Sequence, residues 1–149
     1  MTFQLDPRLD SDSFTLGQFE LCQLLLMNDS QYPWFTLVPM KPDVCEIYQL
    51  SPKDQTQLWL ESRILSQVVM GHFDGDKLNV AAIGNIVSQL HLHHVVRFSN
   101  DASWPKPIWG QLPMVAYSDT IKNEIINKVG NRLMEYGFKF SEKIDQQKN

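Results

Sequence analysis

The chain has 149 residues, 43% hydrophobic and 20% charged, ordinary values for one globular domain with a sizeable core. A formal net charge of −4 argues against a broad electrostatic grip on nucleic acid, although a local pocket can still hold a small anion. Two cysteines, Cys22 and Cys45, are too few for a disulfide framework and read as free thiols in a reducing compartment.

Residues 1–13 are polar and are expected to be loose. They hold no basic region followed by an apolar run, so no signal peptide is expected. Phe19 to Met27 is apolar and reads as a strand; its Leu24-Leu-Leu-Met27 core is too short to cross a bilayer. Asn28-Asp-Ser-Gln-Tyr-Pro33 is turn chemistry, and Trp34 to Val38 is a second strand ended by Pro39. The two strands and their short turn predict an antiparallel pair. Ser51 caps a helix that begins at Pro52, with Asp54 in its first turn. Leu58, Ile64, Leu65, Val68 and Val69 give that helix an apolar stripe, and its end is expected near Gly71. After a turn at 73–76, Lys77 to Ile83 and Gln89 to Phe98 read as further strands.

Residues 101–114 interleave Pro105, Pro107 and Pro113 with Trp104 and Trp109 and read as an ordered loop. The two tryptophans can cover a sheet edge or helix, close over a site, or contribute to a partner surface; Lys106 between the prolines reads as solvated. Ser118 or Asp119 can cap a last helix with Ile121, Ile125, Val129 and Leu133 on its buried side and Gly137 at its stop. The charged tail 142–149 is expected to fray. There is no internal repeat. The order of elements predicts an α+β fold with an antiparallel sheet, as one domain over residues 1–149.

Three of the four histidines, His91, His93 and His94, lie in the segment from Gly84 to Arg97. Period-two alternation puts Gln89, His91, His93, Val95 and Arg97 on one face of an extended strand, and Leu90, Leu92, His94, Val96 and Phe98 on the other. The second face is apolar, so His94 reads as a core histidine with a hydrogen-bond partner. The first face carries the candidate site. His91 and His93 can be a solvated surface pair. They can be two ligands of a metal, although zinc wants three or four and neither Cys45 nor His72 has diagnostic spacing to complete the set. Or they can work on an anion: a neutral imidazole attacks phosphorus once its other nitrogen is held, and a neighbouring ring steadies the phosphoryl charge.

Gly84-Asn85-x-Val87-x-Gln89-Leu-His91-Leu-His93 resembles the strand signature of the histidine triad (HIT) superfamily of nucleotide hydrolases and transferases. Leu26-Met-Asn28 and Phe35-Thr-Leu-Val-Pro39 are similar to that family's first hairpin, and about Phe19 to Phe98 matches it in order and spacing. The resemblance implies a HIT-like antiparallel meander of about five strands with a central helix and a C-terminal helix, assembled as a homodimer. It also implies a small-molecule nucleotide substrate, attack of the middle histidine on the α-phosphorus, a nucleotidyl-histidine intermediate, and no required metal or other cofactor. By position, His91 matches the nucleophile and His93 the third histidine, which binds and polarises the phosphate. Asn28 matches a ribose-binding residue, Asn85 a phosphate-side residue, and Asn79, more loosely, an asparagine of the preceding strand.

Gln89 stands where the first histidine belongs. It can orient neighbours by hydrogen bonding but cannot carry a proton as an imidazolium does. A bacterial branch of the family is similar in having this glutamine, followed by Arg-Phe and a Trp-Pro-x-Pro-x-Trp-Gly loop, which Arg97-Phe98 and Trp104 to Gly110 match. Many members carry another histidine near Trp34, where this chain has Trp and Phe. A cytoplasmic enzyme with no nucleic-acid or membrane partner is expected; a nucleotide-binding module that has lost efficient catalysis through Gln89 is the alternative.

Overall fold

The computed structural model describes residues 2–142. Strands β1 (Ser13–Gln18), β2 (Cys22–Met27), β3 (Trp34–Pro39), β4 (Lys77–Ala81), β5 (Leu92–Arg97) and β6 (Lys139–Phe140) form one antiparallel sheet in the order β4-β5-β3-β2-β1-β6. Helix α1 spans Pro7–Ser11, α2 Pro52–Phe73 and α3 Asp119–Leu133. The fold is therefore α+β, with a sixth, two-residue strand beyond the five expected. No helix among the described residues is long and apolar enough to cross a membrane.

The expected hairpin is β2–β3, paired from Cys22↔Pro39 to Leu26↔Phe35. The strand expected over 19–27 begins only at Cys22, because residues 19–21 turn the chain back onto β1. Strand β1 was hidden by its composition: Ser13, Thr15 and Gln18 interrupt the apolar run, and Gly17 falls where its register shifts. A Cβ on Gly17 would run into the Lys139 carbonyl, so the close approach of β1 and β6 needs glycine there. The N-terminal residues expected to be loose are ordered: the Asp6 side chain caps α1 through the Arg8 N–H, and Leu9 is buried.

Ser51 caps α2 by accepting from the Asp54 N–H, with Pro52 in the first turn. The helix runs past Gly71 to Phe73 and stops at Asp74, whose φ of 52° is left-handed. Ser118 caps α3. Ile125, Val129 and Leu133 are buried as expected, but Ile121 in the first turn is 48% exposed; Ile126 takes its place in the core. Gly137 terminates a short 3₁₀ turn, Met134–Tyr136, that follows α3. Of the expected tail, residues 143–149 lie outside the described residues.

One face of the sheet packs on α2 and α3. Leu24, Leu26, Phe35, Leu37, Leu92 and Val96 meet Leu58, Leu65, Val69 and Val129 there. Glu61 of α2 is buried in this layer and accepts the N–H groups of Leu21 and Cys22, each at 2.9 Å, tying the helix to the β1–β2 turn. Burial pushes its carboxyl up, and these donors, with Gln57, oppose the shift. His94 is fully buried on the same face, as its alternation predicts. Its Nδ1–H donates to the Leu92 carbonyl at 3.1 Å, which leaves Nε2 to accept from the Ser62 hydroxyl of α2 at 2.7 Å. Burial pushes the ring down to about 4, against the pull of the Leu92 carbonyl.

Two stability measurements follow. Glu61→Ala leaves two buried N–H groups without an acceptor and should cost about 3 kcal/mol in urea unfolding, whereas Glu61→Gln, which keeps one acceptor, should cost less. A free histidine titrates near 6.5, so the unfolded chain takes up protons before His94 does. Its stabilising share is full above that pH and is lost as pH falls from about 6.5 towards 4. The slope of unfolding free energy against pH in that window should be lower by about 1 kcal/mol per pH unit in His94→Leu than in the parent; equal slopes would remove His94 from the account.

Candidate active site

Strand β5 is narrower than the Gln89–Phe98 expected, because residues 89–91 peel away from both neighbours. The β3 ladder ends at Leu37↔Leu92, the β4 ladder at Ala81↔His93, and the Leu90 N–H goes to the Val44 carbonyl. The alternation still holds, so His91 and His93 share a face. That face is not open. Trp34, Val95, Met27, Tyr32 and Ile108 form a second cluster there with Trp109, and the N-terminal segment packs Leu9 on Leu25 and Val38 of β2 and β3. His91, His93 and Arg97 are all buried. Sequence alternation marked the face as polar, but nothing local announces what folds over it.

The cover leaves a cavity of about 440 Å³ lined by His91, His93, Asn85, Trp34, Trp109 and Arg8, among others. That is within the usual size of small-molecule sites. The His91 and His93 rings stand edge to face, centroids 4.8 Å apart. His91 Nδ1–H donates to the main-chain carbonyl of Gln89 at 2.7 Å. A carbonyl only accepts, so in the neutral ring the lone pair sits on Nε2.

His93 has the opposite tautomer. The indole N–H of Trp34 donates to His93 Nδ1 at 2.9 Å, with the Thr36 hydroxyl at 3.3 Å from the same nitrogen. An indole N–H can only donate, so the proton of His93 is on Nε2. Burial pushes this ring down to about 3, and the neighbouring His91 and His94 add to the shift. His93 is therefore a neutral donor at ordinary pH. Trp109 packs on it at 5.2 Å between centroids, so one tryptophan of the proline loop closes over the site.

The other expected residues are placed differently. Asn85 lies in the cavity wall just after Gly84, whose φ of 69° favours glycine. Asn28 lies outside the lining, its side-chain oxygen accepting the Tyr117 N–H at 2.9 Å. Asn79 also lies outside it, opposite Val95 in the ladder, and accepts from Arg97 at 2.9 Å. The Gln89 carboxamide is engaged by the N-terminal segment and does not line the cavity; this position reaches His91 through its main chain. Neither Cys45 nor His72 lines it, and among the described residues no three His, Cys, Asp or Glu side chains come together to hold a metal ion.

Arg97, at the far end of the face, anchors the proline loop. It makes two bonds to Asp101, at 2.7 and 3.0 Å, and lies under Trp104 at 5.5 Å from the ring centroid. Burial pushes the Asp101 carboxyl up, but the guanidinium and the N–H groups of Phe98 and Ser103 outweigh it and hold it low. Sequence reasoning missed Trp34 and Arg8 as site residues. The tryptophan's role depends on strand register, and the arginine sits in a segment with no apolar pattern.

A family model described as the HIT domain matches residues 8–100. The chain is similar to the solved structure of a histidine triad protein from Marinobacter aquaeolei VT8, at 45% identity over 91% of this chain and 98% of that one, with a TM-score of 0.88. It is similar at 36% identity to one from Bradyrhizobium japonicum, covering 89% of this chain and 98% of that one, with a TM-score of 0.87. A third, from Sinorhizobium meliloti 1021, is 35% identical over 88% of this chain and 97% of that one, with a TM-score of 0.86. No curated protein matches. With its sheet, its paired imidazoles and these likenesses, the chain belongs to the histidine triad family.

Proposed function

We propose that the protein is a nucleotide-binding hydrolase or nucleotidyl transferase that works through a nucleotidyl-His91 intermediate. The observation that carries this reading is the bond from His91 Nδ1–H to the Gln89 carbonyl, because it leaves the Nε2 lone pair for attack in a walled cavity. Nε2 bonds to the α-phosphorus as the bond to the leaving group breaks, its electrons departing with that group. Water then attacks phosphorus and gives up a proton to solvent, the phosphorus–nitrogen bond breaks, and the ring recovers its lone pair. The Nε2–H of His93, a neutral donor beside it, meets the phosphoryl oxygens as their charge grows. Asn85 is the second polar side chain proposed to meet the phosphate. Gln89 acts by its carbonyl, so the missing imidazole does not disturb the nucleophile's tautomer.

A module that binds nucleotides without turning them over is the second reading. It is favoured by one observation: the Gln89 carboxamide carries no proton and is engaged elsewhere. Mixing the protein with adenosine phosphoramidate, diadenosine polyphosphates and nucleotide sugars, with an acid-free quench and intact-mass detection, separates the two. A transient adduct of one nucleotidyl group that is absent in His91→Ala supports the enzyme; nucleotide binding with neither adduct nor turnover supports the module. Trp34→Phe keeps the packing but removes the donor to His93 Nδ1. It should lower kcat about tenfold, worth ~1.4 kcal/mol, with KM within about threefold. An unchanged kcat would show that Thr36 alone sets the His93 tautomer.

A further inference from the structure

The Gln89 side chain, relieved of any acid-base work, is the clasp of an N-terminal strap. Its Nε2 donates to the Gln4 carbonyl and its Oε1 accepts the Asp6 N–H, both at 2.8 Å and across more than eighty residues of chain. One carboxamide thus binds the strap as a neighbouring strand would. Leu9 anchors the strap beneath, buried against Leu25 and Val38, and the Asn28 N–H holds its far end at the Asp12 carbonyl. Between these fixings the strap presents Arg8 and Asp12 to the cavity.

Arg8 is the cation of that wall. Among the described lining residues no other lysine or arginine occurs, and the guanidinium has neither a hydrogen bond nor an ion pair there. Asp12, the wall's one carboxylate, makes no ion pair with it although it stands four residues on. An exposed arginine in such a wall is suited to a multiply charged phosphate, two of whose oxygens its planar fork can bind at once.

The proton inventory points the same way. Protonating a departing alcohol or amine needs an acid. Gln89 cannot be one, and His93 is held neutral with its free nitrogen already protonated. A phosphate leaving group departs as a stable anion and needs a cation rather than a proton.

We infer that Arg8, held on the strap by Gln89, reads the phosphate beyond the α-phosphorus, so that the site selects nucleotide anhydrides over phosphoramidates and simple esters. The inference rests on the reading of His91 above. In the covalent step the bond from the α-phosphorus to the bridging oxygen breaks, its electron pair stays on the departing phosphate, and Arg8 holds that charge. Gln89 is a positioning residue for Arg8.

Calorimetric binding of AMP and ADP, alongside kcat/KM for diadenosine triphosphate and adenosine phosphoramidate, tests this in the full chain. The parent should bind ADP at least tenfold more tightly than AMP. Arg8→Ala should erase that preference, weakening ADP tenfold or more with AMP within threefold, and Arg8→Lys should keep part of it. Gln89→Ala should lose the preference too, which a purely structural role would not do to the ratio. Turnover of the anhydride should fall tenfold or more in Arg8→Ala while that of the phosphoramidate changes less than threefold. An ADP preference that survives Arg8→Ala, or equal losses on both substrates, overturns the role of Arg8 and leaves the histidine reading standing. A parent that binds neither nucleotide overturns both. A preference lost in Arg8→Ala with no turnover by the parent upholds Arg8 and sinks the covalent step alone.

Discussion

Three imidazoles are buried within four residues, His93 and His94 on β5 and His91 just before it, so each ring needs a partner of its own. The chain meets that constraint at every Nδ1. His91 donates to the Gln89 carbonyl, His93 accepts from the Trp34 indole, and His94 donates to the Leu92 carbonyl. The outer nitrogens then differ in kind. On the core face Nε2 of His94 accepts from Ser62 and locks α2 to the strand. On the cavity face one ring offers a lone pair and its neighbour a proton. Chemistry that needs an attacking atom beside a donor thus arises from ordinary satisfaction of buried polar groups.

The sheet separates stability from reactivity. Its α2 and α3 side is an apolar layer pinned by Glu61. The other side is assembled from distant pieces: the proline loop held by Arg97 and Asp101, the Gly84 turn, and the strap clasped by Gln89. The loop and the strap are each pinned by polar bonds to distant residues.

Legibility in the sequence followed the range of the interactions. Ser51-Pro52 and Ser118 announced their helices because caps act within four residues. The two faces of β5 were readable because alternation is local, and His94 fell on the core side as that rule requires. Strand β1 escaped because only Leu16 and Gly17 in it are buried, and Ser13, Thr15 and Gln18 interrupt its apolar residues. Ile121 has the right spacing for the core but sits in a first turn that overhangs the packed layer. At the site, the paired histidines were legible and their partners were not. Trp34 lies 59 residues from His93 and meets it only because β3 pairs with β5 in one register. The strap reads as a loose polar end until Gln89, 83 residues away, is seen to hold it.

The stereochemical course at phosphorus bears most directly on covalent work by His91. A nucleotide substrate whose α-phosphorus is made chiral by sulfur can be hydrolysed in oxygen-18 water and the product's configuration read by phosphorus magnetic resonance. Attack by His91 Nε2 followed by attack of water gives two in-line displacements and so net retention. Net inversion would mean a single direct attack by water and would contradict it.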